Sequence, residues 1–214
     1  MQTLENLKKA VLDYDVPGAV RYAELSIQEG IDPIAGLDAI SAAMQVVGDG
    51  YSTGELFLPD LVGAAGASQA AMPILEAEIR RRGEKTRSLG TIILGTVKGD
   101  IHTIGKAMVG VLLVAAGFRV IDLGADVPTA KFVEAVKDNE ANLLALSALL
   151  TTTAPEQGKV IQALKEAGLR EQVKIMVGGG AISQDFAEQI GADGYGSTAP
   201  KAVELAKALV RVAV

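Results

Sequence analysis

The chain has 214 residues, of which 49% are hydrophobic, and a formal net charge of −6. This composition supports a packed core in one or two domains, and the acidic balance argues against nucleic-acid binding. The absence of cysteine excludes disulfides, thiolate zinc sites and iron–sulfur clusters. No apolar run reaches the roughly 20 residues of a membrane span, and the first residues are not a signal peptide, so we expect a cytoplasmic protein.

Residues 1–82 are predicted to be helical throughout. Apolar residues recur at intervals of three and four, as in the series Leu37, Ile40, Met44 and Val47. Asp32-Pro33 predicts a helix start, and Pro59 predicts another, because proline suits the first helical turn. Four such helices favour a small antiparallel bundle. The segment Gly63–Ser68 has almost no side-chain bulk, which indicates either close helix packing or a shallow surface for a wide, flat ligand.

The charged segment Arg80–Ser88 is expected to link two domains, with a boundary between residues 86 and 87. Beyond it, strands and helices alternate. The predicted strands are Gly90–Leu94, Arg119–Leu123, Leu143–Ser147, Lys174–Val177 and Gly194–Tyr195. The predicted helices are Ile104–Ala116, Thr129–Asn139, Pro155–Ala167, Ser183–Ile190 and Lys201–Val212. We therefore predict a helical cap domain over 1–86 and, over 87–214, a flavodoxin-like (Rossmann-type) α/β domain with a five-stranded parallel sheet of order 2-1-3-4-5.

In such a sheet, ligands bind beyond the carboxyl ends of the strands, where the strand order reverses. The loop after the first strand carries Asp100, Gly105 and the only histidine of the chain, His102. The third strand is followed by residues with hydroxyl side chains, and the fourth is followed by three glycines. All of these residues should therefore converge on one edge of the sheet. Each has an ordinary explanation as well: helix capping by Asp100 or the hydroxyls, and turn formation by the glycines.

Spacing excludes several familiar sites at this edge. A P-loop would need glycine where Asp100 stands, and the dinucleotide fingerprint G-x-G-x-x-G is absent after the first strand. A phosphoacceptor receiver domain would need an aspartate at the end of the third strand, where the chain has Ser147. A zinc hydrolase would normally use more than one histidine. A single imidazole with an acidic neighbour, facing a crevice, is what remains.

Asp100-x-His102-x-x-Gly105, followed by Ser147-x-Leu149 and Gly178-Gly179, resembles the cobalamin-binding signature D-x-H-x-x-G…S-x-L…G-G, at intervals typical of that family. Four further segments are similar to methyl-carrying corrinoid proteins: Val47–Tyr51, Gly54–Val62, Asp122–Pro128 and Ala192–Gly196. The resemblance thus covers nearly the whole chain. It extends to the corrinoid proteins of methylamine, methanol and betaine methyltransferases and to the cobalamin module of methionine synthase.

The resemblance implies that cobalamin binds base-off, with His102 as the metal ligand on the lower face of cobalt. Asp100 and Thr153 would form a catalytic relay behind it; relatives often have serine at the latter position, and threonine keeps the hydroxyl. We expect His102 to detach during turnover and the relay to take up a proton. The other implied cofactor contacts are Gly99, Ile101, Thr103, Ile104, Gly105, Ser147, Leu149, Thr151, Gly178, Gly179, Gly180, Tyr195 and Gly196, with Phe57 and Leu61 of the cap on the methyl-bearing face.

The implied function is a methyl carrier whose cobalt alternates between Co(I) and methyl-Co(III). The methyl group would pass from a substrate-specific methyltransferase to an acceptor methyltransferase using a folate or a thiol, and a reductive activase would restore Co(I). On this view the chain is a carrier subunit and not a complete enzyme. The main alternative is a regulatory cobalamin-binding sensor module. A mutase-type adenosylcobalamin domain or an α/β domain for another flat, anionic ligand are further alternatives.

Overall fold

A computed structural model describes residues 2–82 and 88–212. The chain forms two compact units, Met1–Ser88 with Val114–Gly117 and Leu89–Leu113 with Phe118–Val214. The predicted boundary between residues 86 and 87, with most of the predicted linker, lies outside the described residues. Within the described ranges, no helix combines the length and apolarity that crossing a membrane would require.

The first unit contains the four predicted helices. They are α1 Gln2–Leu12, α2 Val16–Gln28, α3 Pro33–Thr53 and α4 Leu58–Arg81. Helix α3 begins as predicted, since the Asp32 carboxylate accepts a hydrogen bond from the N–H of Ile34 at 2.9 Å and Pro33 occupies the first turn. Helix α4 packs against α2 and α3, and α1 packs against the same two helices.

Close packing accounts for much of the small-residue segment of α4. A Cβ atom on Gly63 would lie 2.8 Å from the ring of Tyr14, and Ala64, Ala65 and Ala67 are buried. At Gly66, by contrast, a Cβ atom would meet nothing within 4 Å. The structure therefore supports the packing explanation at Gly63 and its alanine neighbours and leaves Gly66 without a steric requirement for glycine.

The second unit is a parallel sheet with helices between its strands. In chain order its elements are β1 Thr91–Thr96, α5 Ile104–Ala115, β2 Arg119–Asp122, α6 Thr129–Asp138, β3 Leu143–Ser147, α7 Pro155–Glu166, β4 Lys174–Gly178, α8 Gln184–Ile190, β5 Gly194–Tyr195 and α9 Ala199–Val212. The strand order β2-β1-β3-β4-β5 confirms the predicted flavodoxin-like arrangement. Residues Thr96, Ser147 and Gly178 lie side by side in register, so β1, β3 and β4 end together at one edge.

The predicted end of the first strand was wrong. Gly95 and Thr96 continue the ladder opposite Leu146 and Ser147, whereas the predicted strand ended at Leu94. Glycine is needed at position 95 because the ring of Phe132 from α6 lies over the strand, 2.6 Å from where a Cβ atom would be. Bounds of other elements shift by one or two residues; for example, the last helix begins at Ala199 and not at Lys201.

Helices α6, α7 and α8 cover one face of the sheet. Their buried apolar residues pack against inward-facing strand residues, including Ile93, Leu144, Leu146, Ile175 and Val177. Helix α9 packs against β3, β4 and β5. This layering buries both faces of the sheet, as short apolar parallel strands require, and leaves the loops at the carboxyl edge free to form a site.

Candidate functional site

A buried carboxylate, Asp100, joins two loops at the carboxyl edge of the sheet. Its Oδ1 accepts hydrogen bonds from the backbone N–H of His102 at 3.0 Å and from His102 Nδ1 at 2.8 Å. Its Oδ2 accepts from the backbone N–H of Leu149 at 2.8 Å and from the Thr153 hydroxyl at 2.6 Å. The side chain of Asp100 has no exposed surface. The loop after β1 is thus tied to the loop after β3 through one side chain.

The hydrogen bonds decide the charge of Asp100. Burial by itself would raise the pKa of a carboxyl group. The bonds from Thr153, His102 and Leu149 outweigh burial and hold the pKa of Asp100 far below its usual range. An ionised carboxylate only accepts hydrogen bonds, so the proton shared with the imidazole resides on Nδ1 of His102. The lone pair of the neutral ring is therefore on Nε2.

His102 presents this lone pair at a partly exposed position. Its side chain is 46% exposed, and Nε2 has no hydrogen-bond partner among residues 2–82 and 88–212. Large apolar side chains in the same two loops are also exposed: Ile101, Ile104, Leu149 and Leu150. A cluster of exposed large apolar side chains marks a binding surface.

Beside His102, the strand ends enclose a cavity of about 750 Å³, within the range of small-molecule sites. It is bounded by the first turn of α5, by the ends of β3, β4 and β5 and by the start of α9. Gly105 lies in its wall, and a Cβ atom there would meet nothing within 4 Å. The space in front of Gly105 is therefore open to a ligand.

The glycines after β4 serve a different purpose from Gly105. Gly179 has φ +123°, and a Cβ atom there would lie 1.9 Å from the carbonyl oxygen of Ala148. On Gly178 it would lie 3.0 Å from the carbonyl oxygen of Gly196, and on Gly180 it would lie 2.7 Å from Leu149 Cδ1. These glycines let the loops after β3, β4 and β5 approach one another closely.

Twelve of the predicted site residues line the cavity: Ile101, His102, Thr103, Ile104, Gly105, Ser147, Leu149, Gly178, Gly179, Gly180, Tyr195 and Gly196. Asp100 and Thr153 lie behind His102, both buried. Gly99 and Thr151 are exposed and do not line the cavity, and their ligand contacts stay predictions.

The two predicted cap residues differ in exposure. Phe57 is 68% exposed, whereas Leu61 has no exposed surface and belongs to the core. Leu61 thus packs within the helical unit, and the ligand contacts of Phe57 and Leu61 both stay predictions.

The capping explanations for Asp100 and the hydroxyls are not supported. Asp100 bonds to His102, Leu149 and Thr153, as described above, and Thr153 donates to Asp100. Helix α7 has Ala154 at its N-cap, without a side-chain cap. The hydroxyl of Thr153 therefore belongs to the hydrogen-bonded group around His102.

Several residues of the site were missed by the sequence. Ser197 and Thr198 after β5 line the cavity. Two hydroxyl residues directly after a short strand are a sequence pattern from which they could have been predicted. Lys106 is buried and pairs with Asp122, while Asp126 accepts a hydrogen bond from Gly99. No local pattern pointed to these two pairings, because each joins residues far apart in the chain.

The metal-binding groups of the site suit a metal ion that is already coordinated by a cofactor and needs only one ligand from the protein. Within the described part of the chain, no three His, Asp or Glu side chains are grouped so as to hold a metal ion. A single imidazole with a hydrogen-bonded Nδ1, next to exposed apolar side chains and an open cavity, suits a metal macrocycle with a bulky substituent. A carboxylate on the far nitrogen is a common partner of a metal-binding histidine.

Comparisons with known proteins agree with this chemistry. Residues 90–204 match the family model described as a B12 binding domain, and residues 3–76 match a second model of the same description. The chain is 43% identical to trimethylamine corrinoid protein 1 of Methanosarcina acetivorans, over 98% of this chain and 97% of that protein.

Two solved structures are similar over the whole chain. One is the methanol:cobalamin methyltransferase complex MtaBC from Methanosarcina barkeri, with a TM-score of 0.81 and 32% identity, covering 98% of this chain and 80% of that chain. The other is the Methanosarcina barkeri monomethylamine corrinoid protein, with a TM-score of 0.56 and 31% identity, covering 97% and 98% of the two chains.

Proposed function

The chain belongs to the B12-binding family of corrinoid proteins, and on that premise we propose that it carries methyl groups on a cobalamin held base-off by His102. The observation that carries this proposal is the state of one imidazole. His102 Nδ1 is fixed 2.8 Å from the ionised Asp100, and Nε2 is left with its lone pair beside a cavity. That arrangement is what a neutral axial ligand to cobalt requires.

When bound, cobalamin supplies the methyl-accepting and methyl-donating chemistry of its cobalt. The protein supplies the ligand and its basicity. Asp100 increases the basicity of His102 Nε2 by accepting a hydrogen bond from Nδ1–H. The Thr153 hydroxyl and the N–H of Leu149 hold the Asp100 carboxylate in place. We propose that this group would set the basicity of His102 toward the metal and would take up a proton whenever His102 is released from it.

The surroundings of His102 suit the corrin ring and the nucleotide tail of the cofactor. The exposed side chains of Ile101, Ile104 and Leu149 would support the lower face of the corrin ring and exclude water from it. The cavity beyond Gly105 would hold the displaced nucleotide tail, with the wall formed by Ser147, Tyr195 and the close-packed glycines after β4. Gly105 contributes by leaving that space open.

The partners follow from the relatives. The similar chain of known structure belongs to a methanol:cobalamin methyltransferase complex, and other relatives are named for trimethylamine and monomethylamine. We propose that this chain works with a substrate-specific methyltransferase that loads the methyl group and an acceptor methyltransferase, folate- or thiol-dependent, that removes it. A reductive activase would return oxidised cobalt to the reduced state. The chain is then a carrier subunit.

The single histidine allows a decisive test. The protein is reconstituted with hydroxocobalamin after labelling with ¹⁵N-histidine, without a polyhistidine tag, and reduced to Co(II) for EPR. If His102 coordinates cobalt, the superhyperfine pattern of the axial nitrogen changes from triplets with ¹⁴N-histidine to doublets with ¹⁵N-histidine. His102→Ala, which has no other histidine to substitute for it, should lose this isotope effect.

An isotope-independent pattern would contradict the proposal, since it would mean that the cofactor keeps its own base. Function is tested by reducing the reconstituted protein and adding methyl donors together with candidate methyltransferases. A protein that binds only adenosylcobalamin and releases it in light, with no methyl uptake, would support the sensor alternative instead.

A further inference from the structure

The β2–α6 turn, defined as Asp122–Val127, forms a second support for the loop after β1, Val97–Thr103, which carries His102 and is called the histidine loop below. It runs beside the end of β1, where the N–H of Thr96 donates to the carbonyl of Gly124 and the N–H of Val127 donates to the carbonyl of Thr96, both at 3.0 Å. Val97 and Val127 also form an isolated parallel bridge. The turn therefore prolongs the sheet pairing of β1 up to the residues that precede His102.

Asp126 of this turn holds the peptide group before Gly99 and the peptide group after Asp100, so its two bonds bracket the Gly99-Asp100 pair. Its Oδ1 accepts a hydrogen bond from the N–H of Gly99 at 2.7 Å. Its own N–H donates to the carbonyl of Asp100 at 2.9 Å. The side chain of Asp100 is held by the β3 loop and by His102, as described above. Asp126 thus fixes the backbone of Asp100 from the opposite side.

The backbone of Asp126 is in an unfavourable conformation that this contact requires. Asp126 has φ +52°, and among the described residues only Tyr14 and Glu140 share a left-handed φ without being glycine. Left-handed backbone is unfavourable for a non-glycine residue, least so for Asp and Asn. Glycine would relieve that strain but could not accept the bond from Gly99, whose own φ is +79°.

A second carboxylate of the same turn anchors the far end of the histidine loop. Asp122 pairs with Lys106, whose side chain is 3% exposed and lies in the first turn of α5. Asp122 also accepts from the N–H of Gly124 at 2.8 Å, which stabilises the turn itself. The residues before and after His102 are therefore attached to one rigid turn through two separate carboxylates.

We propose that Asp126 is a positioning residue for the axial ligand, acting through Asp100. The inference rests on the proposed function of His102. By holding Gly99 N–H and the Asp100 carbonyl, Asp126 sets the direction of the Asp100 carboxylate and thereby the aim of His102 Nε2. Without the acceptor oxygen, the segment from Gly99 to His102 loses one of its supports, and the ring is held less firmly for cobalt.

Two substitutions at Asp126 separate this role from simple turn stability. Asp126→Asn keeps an acceptor oxygen and tolerates left-handed φ, so it should behave as the wild type. Asp126→Gly keeps the backbone conformation and the N–H bond to Asp100 but removes the acceptor for Gly99. Glu140→Gly is the matched control, because it also replaces an exposed acidic residue of left-handed φ by glycine, in the turn after α6.

Two readouts are measured on each variant. In the apoprotein, ¹⁵N chemical shifts of the only imidazole report how firmly Nδ1–H is bonded to Asp100. In the reconstituted Co(II) protein, EPR gives the ratio of histidine-coordinated to base-coordinated cobalt. Loss of one hydrogen bond predicts a fall of about 2- to 10-fold in that ratio for Asp126→Gly. It also predicts a shift of the imidazole resonances, with Asp126→Asn and Glu140→Gly unchanged.

Identical behaviour of Asp126→Gly and Glu140→Gly in both readouts would overturn the inference. Equal loss in Asp126→Asn and Asp126→Gly would also overturn it, since it would assign the effect to charge and not to the acceptor oxygen. If the wild type shows no histidine coordination, the proposed function fails, and the apoprotein shifts still decide whether Asp126 orients His102.

Discussion

Two loops at the same edge of the sheet are held in opposite ways. The loop after β1, from Val97 to Thr103, is organised around the buried Asp100 carboxylate and the donors that surround it. The loop after β4 is organised by the lack of side chains, because a Cβ atom on Gly179 would lie 1.9 Å from the carbonyl oxygen of Ala148. The hydrogen bonds in the first loop fix the protonation state of Asp100 and the orientation of the histidine, whereas the close glycine contacts in the second loop fix only the shape of the cavity wall. Substitutions in the first loop should therefore alter both the protonation of the site and the stability of the fold, and those in the second should alter stability alone.

The largest effect is expected from Gly179→Ala. The new Cβ atom would overlap the carbonyl oxygen of Ala148, at 1.9 Å, and φ +123° disfavours any side chain. We expect a loss of at least about 3 kcal/mol in the free energy of unfolding. Urea unfolding followed by circular dichroism measures it, with Gly105→Ala as the matched glycine substitution in open space. An unchanged unfolding midpoint for Gly179→Ala would contradict the claim that the loop after β4 depends on close contacts at glycine.

A smaller loss of stability, with a pH signature, is expected from Asp100→Asn. The amide keeps one acceptor oxygen, so its NH₂ group must face either His102 or the donors Leu149 N–H and Thr153 hydroxyl. We expect a cost of about 2–3 kcal/mol at neutral pH. Because the pKa of Asp100 is lower in the folded protein, its contribution is present above the unfolded pKa of about 4 and is lost as pH falls.

The stability difference between the wild type and Asp100→Asn should therefore narrow as the pH is lowered below about 4. Urea titrations at several pH values measure this difference. A constant difference across that range would mean that the charge of Asp100 contributes nothing, and that the loop is held by shape alone.

The smallest effect on stability is expected from Gly105→Ala, where the new Cβ atom has no neighbour within 4 Å. Replacing a helical glycine should stabilise the fold by up to about 1 kcal/mol. The same methyl group projects into the space assigned to the nucleotide tail and should weaken cobalamin binding by about 10-fold. Equilibrium titration with hydroxocobalamin tests this. Undiminished affinity would show that the tail does not pass Gly105.

Local sequence signals were enough for the elements and their order. The bounds of β3 and β5 were predicted without error, and the start of α3 at Asp32-Pro33 followed from the capping preference of aspartate and the fixed φ of proline. The strand order followed from the alternation of strands and helices. Gly95 was misplaced because its requirement comes from Phe132, a residue on another element whose packing no local pattern records.

The candidate site was predictable to a similar depth. Motif spacing indicated His102, Asp100 and Thr153 together, and the structure joins them by hydrogen bonds. Spacing could not distinguish Gly105, which leaves room for a ligand, from Gly179, which leaves room for Ala148. The ligand contact of Leu61 was implied by the family resemblance and stays a prediction; the structure shows that this side chain is buried, and an apolar residue in a helix has the same sequence signature in either role.

The histidine loop separates what the sequence determines about this site from what the tertiary structure determines. The sequence by itself determined that one imidazole follows a buried strand with an aspartate two residues before it, and that the pattern belongs to a cobalamin-binding family. Only the fold decided the charge of that aspartate and the free nitrogen of that imidazole. The reason is physical: the donors that lower the pKa of Asp100 include Leu149 and Thr153, which lie in the loop after β3, and Asp126, which holds the backbone of Asp100, lies in the turn after β2. These residues are distant in the sequence and meet only because their strands pair with β1 in the sheet.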